Sequence, residues 1–339
     1  MKPTRTIASA LACAVVLALS ACTTTKTSGP GSNSGGGSSG PIKIGLVTKT
    51  ETNPYFVKLR ESAKAAAAAK GDSLIALAGK FDGDNEGQVT AIENLVQQGV
   101  KGILITPSNS SGVLGAIRQA QDKGVIVIAL DTATEPADAV TATYATNNET
   151  AGKLIGQYVK ARLGSTKPQL VMMDLDPSAS VGKQRHNGFL EGMGLPLNTP
   201  DIIGTALTQG DQTKAQAAME NLLQRVGNQV NAVYNINEPA ARGAYQALKE
   251  KGLTGKVLVG AIDGGCQGVQ DVKNGLFVGT VMQFPKKMAE NGVAAVIEYA
   301  ASGKKPTGFI DTGATLITDK PVSGLESKDT AWGAQNCWG

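Results

Sequence analysis

The run Val125-Ile126-Val127-Ile128-Ala129-Leu130-Asp131 reads as a strand with no polar face. Six consecutive apolar residues leave no alternation, so both sides of the strand must be covered. That is the signature of a buried parallel strand ended by a polar residue. Gly102-Ile103-Leu104-Ile105-Thr106-Pro107 repeats the pattern one helix-length upstream. Working outward, strands are expected over 42–47 and 73–78. A helix follows Asn53-Pro54 and runs through the alanine tract at 65–69. A second, over 84–100, places Val89, Ile92, Leu95 and Val96 on one face. Strands separated by helices of this length imply right-handed βαβ units and a doubly wound parallel sheet. The alternation then starts again. Strands are expected over 169–175, 202–206, 232–235, 257–262 and 277–283, with helices near 181–193, 211–226, 238–251 and 285–301. The halves rhyme: Leu130-Asp131-Thr132 and Ile262-Asp263-Gly264 each place an Asp at the end of an apolar strand. About 300 residues of body exceed one ordinary core, so two like α/β domains are expected.

The start of the chain has a different character. Lys2 and Arg5 precede an apolar run, Leu11 to Ala21, too short to span a bilayer. This reads as a secretory signal peptide over residues 1–21. Leu19-Ser20-Ala21-Cys22 resembles the lipobox of bacterial lipoproteins, in which the Cys carries lipid and becomes the new N-terminus. Residues 22–40 are almost entirely Thr, Ser, Gly, Pro and Asn. Such a segment buries no core and is expected to act as a flexible tether of ~20–25 Å reach. The alternative is an ordinary signal peptide with an incidental Cys22. The expected location is outside the cytoplasm, on the bacterial cell membrane.

Composition excludes several functions. Formal net charge is +4, and Lys2 and Arg5 lie in the segment expected to be removed, so the mature protein is nearly neutral. No basic block or aromatic-rich basic stripe supports nucleic-acid binding. The single His, His186, argues against a His-rich metal site and reads as a solvated residue near a helix start. No GxGxxG follows the first strand, and neither GxSxG nor a P-loop is present, so no cofactor and no enzymatic activity are expected. Cys266 and Cys337 remain after the leader. In an exported protein they read as a disulfide, with two free thiols as the alternative.

Polar residues recur where strands end, and ligands of open α/β sheets bind at those ends. Lys49, Asn53, Asp131, Asn237, Asp263 and Gln283 are so placed. Each has a plain structural role open to it: Asn53 and Asn237 as helix caps, the two Asp as loop ties, Lys49 as a solvated loop residue. Together they offer planar groups that pair with vicinal hydroxyls. Tyr55 and Phe56 add aromatic faces for the C–H surface of a sugar, Phe56 alternatively packing beneath the first helix. Lys49 is expected to pair with Asp131, or with Glu51 if it turns outward.

These residues carry a resemblance. The chain resembles the periplasmic-binding-protein family of ribose-binding type, the solute receptors of bacterial ABC importers. It rests on six segments in order across 41–318: Gly45-Leu46-Val47 with Asn53-Pro54-Tyr55-Phe56, Ile128-Ala129-Leu130-Asp131, Thr146-Asn147-Asn148-Glu149, Gln184-Arg185-His186-Asn187-Gly188-Phe189, Asn237-Glu238-Pro239-Ala240, and Ile262-Asp263-Gly264 with Val281-Met282-Gln283-Phe284-Pro285. The resemblance implies two doubly wound domains joined by a three-crossover hinge, the type I arrangement. The implied domains are 41–146 plus 284–312 and 147–283 plus 313–339. It implies ligand contacts from Asn53, Phe56, Asp131, Arg185, Asn237, Asp263 and Gln283, with Tyr55 lining the pocket. It implies a monomer that binds a small sugar or polyol and docks on an ABC permease, touching the membrane only through its anchor. Thr132 stands where ribose-type receptors carry Arg, Gly210 stands near the place of an aromatic, and Lys49 replaces a small polar residue. The Thr48-Lys49-Thr50 opening is more similar to the fructose and polyol branch. Competing readings are a receptor feeding a membrane signalling protein, a transcription regulator sharing the fold, and a sugar enzyme.

Overall fold

The computed structural model describes residues 40–339. The leader, Cys22 and nearly all of the tether lie outside the described residues. The first half forms β1 (Lys43–Thr48), α1 (Pro54–Ala68), β2 (Ser73–Ala78), α2 (Asn85–Gln97), β3 (Gly102–Ile105), α3 (Leu114–Asp122), β4 (Ile126–Leu130) and β5 (Ala142–Ala145). The second forms α4 (Asn148–Leu163), β6 (Leu170–Asp174), α5 (Ser180–Met193), β7 (Ile202–Leu207), α6 (Gln212–Val226), β8 (Ala232–Asn235), α7 (Glu238–Glu250), β9 (Leu258–Asp263), α8 (Cys266–Lys273) and β10 (Gly279–Met282). The chain closes with α9 (Pro285–Ser302), β11 (Gly308–Asp311), β12 (Thr315–Ile317) and α10 (Thr330–Asn336).

Two six-stranded sheets result, ordered β11-β5-β4-β3-β1-β2 and β12-β10-β9-β8-β6-β7. The first is parallel throughout, and in the second only β12 runs antiparallel, against β10. The chain thus passes from the first sheet to the second after β5, returns after β10, and crosses again between β11 and β12. In each sheet the strand order reverses once, between β1 and β3 and between β6 and β8. Those are the switch points where α/β sheets open a ligand crevice.

Each sheet is covered on both faces, which is why its central strands carry no polar side. In the first lobe Ile44, Leu46, Leu104 and Ile128 pack under α1 and α9, and Val47, Ile103 and Val127 pack under α2 and α3. In the second, Met172 and Ile262 face α4 and α5, and Val171, Val233 and Val259 face α6 and α7. The α4–α5 contact is unusually close. A Cβ on Gly152 would lie 2.2 Å from the Arg185 carbonyl oxygen, and one on Gly188 would lie 2.1 Å from that of Glu149. Only glycine admits that approach, and it sets the position of Arg185.

Elements α4, β5, α8, β11, β12 and α10 go beyond the strands and helices expected from sequence. Strands of three or four residues leave no run to read, and β11 is largely exposed. Cys266 and Cys337 are joined as a disulfide, their Cα atoms 4.9 Å apart. Among the described residues no helix is long and apolar enough to cross a membrane.

Candidate ligand-binding cleft

The carboxyl ends of the two sheets meet. Ser110 N–H donates to the Ser178 carbonyl at 2.9 Å, and Ser180 N–H donates to Ser110 Oγ at 2.9 Å. Lys183 bonds Glu135 at 2.7 Å across the same junction. Arg185 lies deeper and is 4% exposed. Its Nε donates to Asn148 Oδ1 and its Nη1 to the Ile236 carbonyl, both at 2.8 Å. Its Nη2 stands 3.9 Å from Asp131 Oδ1. Two bonds within the second lobe therefore fix the guanidinium plane and aim the third nitrogen at the first lobe. The 3.9 Å gap is an ion pair but too long for a hydrogen bond, so Nη2 and Oδ1 keep valences for hydroxyls.

Asp131 ends β4 with φ +64°, the left-handed region that costs a non-glycine residue energy. Thr132 Oγ1 donates to its Oδ2 at 2.8 Å, and Asn148 Nδ2 donates to its carbonyl at 3.2 Å. Across the junction, Gln283 Nε2 and the Glu238 N–H donate to Asp263, at 3.1 and 3.2 Å. Gln283 Oε1 is buried with no hydrogen-bond partner among the described residues. Asn237 caps α7, accepting from Ala240 N–H and donating to the Gly210 carbonyl, both at 3.0 Å. Gly210 has φ +62°, the left-handed region, and a Cβ there would meet Asn237 Nδ2 at 2.5 Å, so a side chain would strain the backbone and displace the cap. Asn53 caps α1 through Tyr55 N–H at 3.0 Å. Both cap roles are thus realised, and Asn53 in addition lines a cavity of about 270 Å³ with Phe56, Asp82, Gly210 and Arg242.

Burial governs the acids. It pushes the Asp263 carboxyl up, against the opposing charge of Arg185. It pushes Glu238 up as well, and the neighbouring Asp263 adds to the effect. Glu238 accepts from Gly264 N–H at 2.9 Å and Thr280 Oγ1 at 2.8 Å. Its position next to the Asn237 cap was the only sequence signal for it.

The readings of Lys49 and His186 are corrected. Lys49 is 1% exposed and pairs with Asp82 at 3.4 Å, not with Asp131 or Glu51. The end of β1 points it toward the β2–α2 loop, where burial raises the Asp82 carboxyl and Lys49 opposes the rise. Tyr55 is buried beside the acids, close enough that Asp131 and Asp263 raise its hydroxyl's pKa further above the value burial sets. Its ring is 3% exposed in the first lobe's core, its hydroxyl on Met288 Sδ at 3.1 Å. His186 is not a free surface residue. It sits within α5, half-buried, with Nδ1 3.0 Å from Asp174, which raises its pKa. Sequence reasoning also missed Asn148, Asp82 and Trp338.

Two acidic strand ends, an aimed guanidinium and two amides, all buried, suit a small neutral ligand rich in hydroxyls. A family model described as a periplasmic binding protein domain matches residues 44–305. The ribose import binding protein RbsB of Bacillus subtilis is 28% identical over 284 residues, 84% of this chain and 90% of that protein. The galactofuranose-binding protein YtfQ of Escherichia coli is 30% identical over 302 residues, 86% and 92% of the two chains. An ABC transporter solute binding protein from Mycobacterium smegmatis, solved with bound glycerol, is 26% identical with a TM-score of 0.76. It is covered to 99%, against 86% of this chain.

Proposed function

This chain belongs to the periplasmic binding protein family, of ribose-binding type, and we propose that it captures a small sugar or polyol between its lobes and delivers it to an ABC permease. The observation that carries the reading is Arg185, locked by Asn148 and the Ile236 carbonyl and aimed at Asp131 across the junction. Asn53, Phe56, Asp131, Arg185, Asn237, Asp263 and Gln283 are the proposed contacts, with Asp82 at the rim, Lys49 buried behind it and Tyr55 beside Phe56. The lobes, 41–146 plus 284–312 and 147–283 plus 313–339, rotate about the three crossovers and close on the ligand. The closed shape is what the permease recognises.

Relatives are named for ribose and for galactofuranose, and a structural neighbour holds glycerol. Thr132 commits its hydroxyl to Asp131, where the ribose-type pattern has an Arg. We therefore favour a ketose or open-chain polyol over ribose. The protein works as a monomer outside the cytoplasm, tethered by lipid on Cys22, and the Cys266–Cys337 bond persists in that oxidising setting. A thermal-shift screen against pentoses, hexoses, ketoses and polyols tests the ligand class. A rise in melting temperature with at least one of them is expected, and a flat response across all four would overturn the reading. Cys22→Ala should release the protein from the membrane fraction; full retention would refute the anchor.

A further inference from the structure

Trp338, one residue from the chain end, is 7% exposed. Chain ends ordinarily fray unless tied down. This one is tied twice: by the disulfide at Cys337, and by a backbone bridge between Trp338 and Gly265 in which Cys266 N–H donates to the Trp338 carbonyl at 2.9 Å. Both ties are to the second lobe. The indole nevertheless belongs to the first lobe's core and meets the Tyr55 ring edge-on, centroids 5.5 Å apart. Its Nε1–H lies between two carbonyls, 3.2 Å from that of Asp263 and 3.1 Å from that of Gln283.

Those partners are not arbitrary. Asp263 ends β9, and Gln283 begins the crossover that returns the chain to the first lobe. Tyr55 sits in the first turn of α1, between the Asn53 cap and Phe56. One side chain thus touches the backbone of two proposed ligand contacts in one lobe and the helix start that carries two more in the other. Rotation of the lobes must move the indole against one of these surfaces. The disulfide and the backbone bridge hold it to the second lobe, so the Tyr55 ring is the surface that slides.

We infer that Trp338 is a positioning residue, a disulfide-held wedge that sets the angle between the lobes and the spacing of Asp263 and Gln283 from Asn53 and Phe56. The inference deepens the receptor reading and rests on it. The test is run without sugar so that the two can fail separately. Spin labels at Glu61→Cys on α1 and Lys249→Cys on α7, both exposed, report the distance between lobes by electron–electron resonance, with the native disulfide intact. The parent should give a narrow distribution. Trp338→Ala should broaden it and add a longer-distance population. A distribution that overlays the parent's would overturn the inference. Should the Ala variant fail to fold, Trp338→Phe removes the N–H donor to the Asp263 and Gln283 carbonyls and puts a smaller ring against Tyr55. The same broadening is then expected, and the same overlay overturns it. A parent that binds no sugar refutes the proposed function and leaves this distance result standing.

Discussion

Replacing Arg185 by Met keeps most of the stem and removes the guanidinium. Asn148 Oδ1 and the Ile236 carbonyl lose their donor, and Asp131 loses its counter-charge. Hydrogen bonds from a charged donor are worth about 1.5–3 kcal/mol each. Breaking a buried ion pair costs about 3–5 kcal/mol, and the 3.9 Å separation places this pair at the lower end. These figures overlap because one group makes every contact, so Arg185→Met should lose ~3–5 kcal/mol of stability. Sugar affinity should fall ~10–150-fold, the equivalent of one lost charged hydrogen bond. Urea denaturation and calorimetric titration read the two losses. Adding Asp131→Asn separates them. It removes the unpaired buried charge, so part of the stability should return while affinity does not. A folded Arg185→Met with unchanged stability and unchanged affinity would refute the placement of this residue.

Asp263 and Glu238 bind protons more tightly when folded, because burial raises both above their ordinary values. Their contribution to stability is full below about pH 4 and declines as pH rises through neutral. Glu238→Gln should flatten that decline in melting curves taken from about pH 5 to pH 9, and an unaltered slope would argue against it. Lys49→Met leaves Asp82 buried without its counter-charge, so it should destabilise; Asp82→Asn should restore stability in the double variant. The same Lys49→Met change should reorder polyols and pentoses in a thermal-shift screen, whereas an unchanged ranking puts Lys49 outside the pocket. Peptide mapping without reductant should recover Cys266 linked to Cys337 across a sequence separation of 71 residues, worth ~2–4 kcal/mol. Two alkylatable thiols would contradict it.

The central strands were legible because a sheet covered on both faces demands unbroken apolar runs such as 125–130. Asp131 and Asp263 were legible for the same reason, as polar residues that stop those runs. The short edge strands β11 and β12 were not, since three or four residues leave no run to read. The partner of Lys49 was hidden because Asp82 belongs to another loop, and loop-to-loop contacts leave no local period. Arg185 could be named but its aim could not. That depends on Gly152 and Gly188 drawing α5 onto α4, which only the packed helices reveal. Trp338 carried no signal except its neighbour Cys337, whose bond to Cys266 brings the tail to the end of β9.

The claim on which everything else rests is that the strand ends of both lobes hold one polyhydroxylated ligand. A crystal structure with the sugar or polyol that gives the largest thermal shift tests it most directly. The expected result places ligand hydroxyls within hydrogen-bond distance of Asp131 and Arg185, and of Asp263 or Gln283, with both lobes in contact. A ligand found instead in the separate cavity on the second lobe, between Arg162, Tyr245 and Lys320, would contradict it.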